Sequence, residues 1–185
     1  MKKMYKAMLL VLCAILLVAG SVMGTLAYLQ MQTGPVKNTF TAGQVGITLN
    51  EAKTNEYGVA DTPEVRVTGN EYKLIPGKTY AKDPTITVAE GSEDCWVLVK
   101  LENGLNSDCT FNIDETKWTH ISNGVYAYGE KLSAGDEAIF FTQFTFAEIA
   151  NPATYEDAEI VITAYAIQAE GFADAVHAWG NVTFN

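Results

Sequence analysis

The feature that most limits what this chain can fold into is CWVLVKLE at 95–102, apolar throughout apart from Lys100 and Glu102. A run of that length, bounded by turn residues, reads as a strand buried on both faces in the core of a sandwich. The segments around it follow the same rule. YKLIPGKTYAKDPTITV holds a Pro76-Gly77 turn, where Pro presets φ at the second position and Gly takes positive φ at the third. Asp83-Pro84 then opens a strand with Ile86 and Val88 on one side and Thr85, Thr87 and Ala89 on the other. Asn103-Gly104 and Asn123-Gly124 mark two more turns. AIFFTQFTF (138–146) predicts the most aromatic strand, and EIVITAYAIQAE (159–170) a long one. Upstream, VKNTFTAGQVGITLNE predicts a strand re-registered by a bulge near Ala42-Gly43, because Phe40 and Val45 have opposite parity. EVRVTG, inside the polar loop 51–71, allows a short strand. Eight or nine short strands with regular turn signals predict an all-β sandwich.

Only the ends depart from this pattern. GFADAVHAWGNV carries Phe172, Val176 and Trp179 at helical spacing, predicting a short C-terminal helix between Gly171 and Gly180. At the other end, MKKMYKA is a basic n-region and MLLVLCAILLVA (8–19) an apolar h-region. That run is short of the ~20 apolar residues a spanning helix needs. Thr25 and Ala27 suit the −3 and −1 positions of a signal cleavage site, placing the cut before Tyr28. The alternative is an uncleaved anchor. Three regions follow: a helical signal peptide at 1–27, an N-terminal strand and hinge at 28–37, and a β-sandwich domain at 38–185.

Charge narrows the partners. The net charge is −10; without residues 1–27 the chain keeps 9 Lys+Arg against 22 Asp+Glu, a balance of −13. Such a polyanion repels nucleic acid and anionic membranes. Arg66 is the only arginine, so no cluster exists to clamp phosphate. Cys95 and Cys109 remain in the exported part. One disulfide between them is a possible pairing if 96–101 and a strand near 109–113 form a hairpin; two free thiols are the alternative.

Catalytic signatures are few. The chain has no HExxH, GxSxG or P-loop. His120 and His177 read as surface histidines before they read as ligands or bases. The acid groups EGSED (90–94), NIDE (112–115) and YEDAE (155–159) lack the spacing of calcium loops and read as solvated loops. No cofactor and no metal is expected.

In order along the chain, GTLAYL, NTFTAGQVGITLNE, YKLIPGKTYAKDPTITV, SEDCWVLVK and YAIQAEGFADAVHAW resemble the TasA/camelysin family of exported proteins from Gram-positive bacteria. The resemblance spans most of the mature chain. It implies a jelly-roll β-sandwich, release by a dedicated SipW-type signal peptidase, and a secreted protein of the extracellular matrix or cell surface. It also implies a biofilm fibre subunit, major or minor. In such fibres the mature N-terminus of one subunit adds a strand to the next. Carried onto this chain, the donor strand is Tyr28, Leu29, Gln30, Met31, Gln32 and Thr33, and Gly34 and Pro35 form its hinge. The partners are then other copies of the chain, with a minor or anchoring subunit as a further one. The resemblance also brings a claimed camelysin-like metalloprotease activity, for which this sequence holds no zinc motif. That activity and a monomeric adhesion module are the alternative functions.

Overall fold

The structure, a computed structural model, describes residues 2–29 and 43–181. The chain divides into two compact units, residues 1–41 and 42–185. The first contains one helix, α1 (Lys2–Leu29). No helix among the described residues is long and apolar enough to cross a membrane. The helix runs past the expected cleavage point. In the uncleaved chain, Thr25, Ala27, Tyr28 and Leu29 have helical backbone; the extended form expected of Tyr28 and Leu29 belongs to the cleaved chain. Gln30, Met31, Gln32, Thr33, Gly34 and Pro35 lie outside the described residues, as do Phe40 and the predicted bulge at Ala42.

The second unit is built of antiparallel sheets. Its strands are β1 (Ile47–Ala52), β2 (Arg66–Val67), β3 (Thr79–Ala81), β4 (Thr85–Val88), β5 (Cys95–Asn103), β6 (Cys109–Phe111), β7 (Trp118–Ser122), β8 (Val125–Tyr128), β9 (Glu137–Ile139), β10 (Gln143–Phe146) and β11 (Ile160–Gln168). They form three sheets, ordered β2-β1-β4-β9, β3-β10-β6 and β11-β5-β8-β7. A short helix, α2 (Ala175–Ala178), ends the chain's regular structure and passes into a 3-10 turn at Trp179–Asn181.

β5 organises the core as its composition demands. Its odd residues Cys95, Val97 and Val99 pack with Ile86 and Val88 of β4, Trp118, Phe140 and Phe141. Its even residues Trp96 and Leu98 pack on the opposite face with Val125, Ala127 and the terminal Ala175 and Ala178. Each such aliphatic side chain contributes about 1.5–3 kcal/mol on burial. β4 keeps the predicted alternation, with Ile86 and Val88 inward. A third cluster gathers Tyr80, Leu105, Cys109, Phe144 and Phe146 around the β3-β10-β6 sheet.

Turn chemistry matches the predicted positions. Lys78 N–H donates to Ile75 C=O at 3.1 Å across Pro76-Gly77, and Gly77 has φ +75°. Asn123 and Gly124 both have positive φ, +47° and +75°, as a tight β7–β8 hairpin requires. A Cβ on Gly124 would stand 2.4 Å from the Leu101 carbonyl oxygen. We expect Gly124→Ala to destabilise the domain by about 3 kcal/mol, read from urea unfolding, through strain plus displacement of β5.

Two elements differ from the sequence reading. Residues 138–146 are not one strand: β9 and β10 belong to different sheets. Phe140, Phe141, Phe144 and Phe146 are all buried, which a single period-two strand cannot achieve on one face. The break is fixed by hydrogen bonds. Phe140 N–H donates to Pro84 C=O at 2.9 Å, and the N–H groups of Thr142 and Gln143 donate to Asn112 Oδ1 at 3.0 and 2.9 Å. The terminal helix is shorter than its stripe predicted. Asp174 caps it, accepting from His177 N–H at 2.8 Å, so Phe172 precedes the helix. Ala175 and Ala178 face inward, and Val176 is 46% exposed.

Candidate functional site

β11 is the outermost strand of its sheet. It pairs with β5 along its whole length, from Ile160↔Asn103 to Gln168↔Cys95, and no strand pairs with its other edge among the described residues. β1 has a similar open side. It pairs with β4 over Ile47–Asn50, whereas β2 pairs only with Glu51 and Ala52. Between these edges lies a groove of about 1110 Å³. Leu49, Leu74, Leu105, Phe144, Ile160 and Ile162 provide its apolar lining. Glu71, Glu156, Asp157 and Glu159 add acids.

Spacing decides what the groove can take. Cα atoms of β1 and β11 approach within 8 Å of each other. A strand paired to both edges would need about 9.5 Å, two ladder spacings. At that approach the gap is too narrow for a strand paired to both edges.

A polar cluster closes one end of the same groove. Lys82 Nζ is ion-paired with Glu51 Oε2, and both side chains are buried. Asn70 Nδ2 donates to Glu51 Oε1 at 2.9 Å and to the Ala52 carbonyl at 2.9 Å. Asn70 Oδ1 accepts from Thr54 N–H at 2.8 Å. Next to it, Arg66 is held by Asp83 at 2.6 Å and by Asn50 Oδ1 at 2.8 Å. Asp83 also accepts from Ala52 N–H at 2.6 Å. Arg66 thus ties β2 and β1 to the start of β4. No pattern along the chain foretells this cluster. Glu51 falls at a strand end, Asn70 in a polar loop and Lys82 at a strand junction, and no periodicity links them.

Of the two alternatives for the cysteines, a disulfide or two free thiols, the structure has the second. Cys95 and Cys109 are both free and buried. The hairpin that would join them does not exist: β5 pairs with β8 and β11, while β6 pairs with β10 in another sheet. Cys95 also begins β5, so the nine-residue strand carries the chain roughly 30 Å away before β6 starts. Burial pushes the Cys95 thiol up to about 11, with Asp94 adding to it, and the Cys109 thiol up to about 12. The thiolate is the reactive form. We expect neither thiol to react with a disulfide reagent at pH 8 until the domain is unfolded, and both to react in denaturant.

The other singled-out residues are dispersed. His177 Nδ1 lies 2.7 Å from Asp174 Oδ1 on an exposed helix end. Asp174 is held below the usual carboxylate range, chiefly by the His177 backbone N–H. His120 is exposed on β7, its ring 4.9 Å from that of Tyr126. In the acid segments, Asp94 pairs with Lys131 at 2.7 Å and accepts from Ser133 Oγ at 2.7 Å. Asp114 accepts from the Thr116 hydroxyl at 2.6 Å. Among the described residues, no three His, Cys, Asp or Glu side chains converge as metal ligands. No protein-family model, no curated protein and no solved structure matches the chain.

Proposed function

We propose that this chain is a secreted structural protein on a jelly-roll-like sandwich, and that its mature N-terminus adds a strand to a second copy. One observation carries the reading: the open edge of β11 borders an apolar groove. The donor, residues 28–33, has matching chemistry. YLQMQT carries no charge, and its alternate side chains, Leu29 and Met31 or Tyr28 and Gln30, fit a groove filled from one side. Cleavage before Tyr28 creates an α-amino group there. Its positive charge suits a groove bordered by Glu71, Glu156, Asp157 and Glu159.

The contact is head-to-tail, so repetition yields an open filament and not a closed ring. A dedicated signal peptidase times the event, because the donor end is not free while the signal helix precedes it. A minor or anchoring subunit of the same fibre would use the same edge. Gly34-Pro35 serves as the hinge, since Pro cannot extend a ladder.

Val161 tests the acceptor side. It lines the groove and is 39% exposed, so Val161→Lys should leave monomer stability within about 0.5 kcal/mol. We expect at least a roughly tenfold fall in filament yield by electron microscopy, equivalent to ~1.4 kcal/mol of contact energy. Leu29→Lys or Met31→Lys should do the same from the donor side. Unchanged filaments in all three variants would exclude this edge as the acceptor.

A further inference from the structure

Glu51, Asn70 and Lys82 stand together as the parts of an amide-forming reaction. We propose that Lys82 and Asn70 become joined by an isopeptide bond after folding, with Glu51 carrying the protons.

The amine and the leaving nitrogen meet at one carboxyl group, which is the proton carrier. The nucleophile is an amine removed from water: Lys82 is 8% exposed, and Glu51 is 4% exposed. An ammonium is not nucleophilic, but a desolvated lysine beside a proton acceptor becomes so. The direct hydrogen bond from Lys82 Nζ to Glu51 Oε2 gives the proton its path. The electrophile is the carboxamide carbon of Asn70. Its oxygen accepts the Thr54 N–H at 2.8 Å, a fixed donor where negative charge develops during attack. The Thr54 hydroxyl is buried and, among the described residues, has no hydrogen-bond partner, leaving a second donor on the same residue. The leaving group is the amide nitrogen, which sits 2.9 Å from Glu51 Oε1. One carboxyl group therefore touches the nucleophile with one oxygen and the leaving group with the other.

The step balances without any added reagent. Lys82 passes a proton to Glu51, and the Nζ lone pair attacks Asn70 Cγ, forming the new C–N bond. Nζ sheds its second proton as the tetrahedral carbon collapses, and Glu51 protonates Nδ2. The Cγ–Nδ2 bond breaks and ammonia leaves, taking the remaining proton as ammonium. No atom changes oxidation state, and Glu51 ends as it began. All three residues line the open groove, which gives ammonia a way out. The product ties the loop after β2 to the segment between β3 and β4, locking the β1–β2 pair against its neighbours.

The test is the intact mass of the purified full-length protein, with its N-terminus assigned by peptide mapping. We expect a mass about 17 Da below that of the sequence, one ammonia lost. Proteolysis should release a branched peptide joining Asn70 to Lys82. Glu51→Gln and Lys82→Arg should each restore the full mass and abolish the branch. A succinimide at Asn103-Gly104 or Asn123-Gly124 gives the same loss with no branch, so loss without a branch overturns the proposal. So does folded wild-type protein at full mass. If a variant fails to fold, the mass and branch of the wild type decide alone.

Discussion

Processed protein lacking residues 28–34 is expected to stay monomeric at concentrations where the intact mature chain forms filaments. The domain itself should be unaffected, because its compact unit begins at residue 42 and, among the described residues, its clusters draw on those from Val45 onward. The size of the effect follows from what a short strand contributes. Each ladder hydrogen bond is worth about 0.5–1.5 kcal/mol net, and burying Leu29 or Met31 adds roughly 1.5–3 kcal/mol apiece. Against this stands an association cost of at least ~4 kcal/mol, which the strand must outweigh, so removing it removes the attraction it supplies. Sedimentation velocity and electron microscopy on the same sample read the result. Filaments of normal length from the truncated chain would refute strand donation.

The largest stability loss is expected at Trp118. Its side chain is 1% exposed and its ring lies 4.9 Å from Tyr128 and 5.0 Å from Phe140. The indole N–H donates to the Ile139 carbonyl at 2.9 Å. Trp118→Ala removes the ring, opens a cavity and leaves that carbonyl without its indole donor. The combined cost is about 4–5 kcal/mol, a large share of a domain's whole stability. Urea unfolding followed by fluorescence should show the midpoint collapse. A loss under about 1 kcal/mol would mean that β7 and the Phe140 crossing are not packed as described.

Much of this fold was legible because local and global signals agreed. The apolar run at 95–99 in β5 foretold burial on both faces, and both faces are covered there. Pro76-Gly77 and Asn123-Gly124 sit where their backbone preferences place them. What escaped the sequence needed information that no single segment carries. The split of 138–146 depends on Asn112, roughly thirty positions upstream, catching two backbone N–H groups. The choice between a disulfide and two free thiols has the same origin: Cys95 and Cys109 are close in sequence, yet β5 recruits β8 and β11, so β6 is left to the other sheet. The terminal helix was foreseen but its face was not, since Asp174 caps it one turn later than the apolar spacing implied. The candidate groove was invisible for a topological reason. A free edge is defined by which strand is missing beside it, and residues at that edge look like any half-buried strand. Glu51, Asn70 and Lys82 were hidden similarly, each an ordinary polar residue until the fold brings them to one carboxylate.

Electron cryomicroscopy of filaments grown from correctly cleaved protein tests strand donation most directly. The account predicts density for residues 28–33 of one copy running along the edge of β11 in the next, with Leu29 and Met31 or Tyr28 and Gln30 turned toward Leu49, Leu105 and Phe144. Filaments whose copies touch through other surfaces, with residues 28–33 folded onto their own domain and the β11 edge bare, would contradict it.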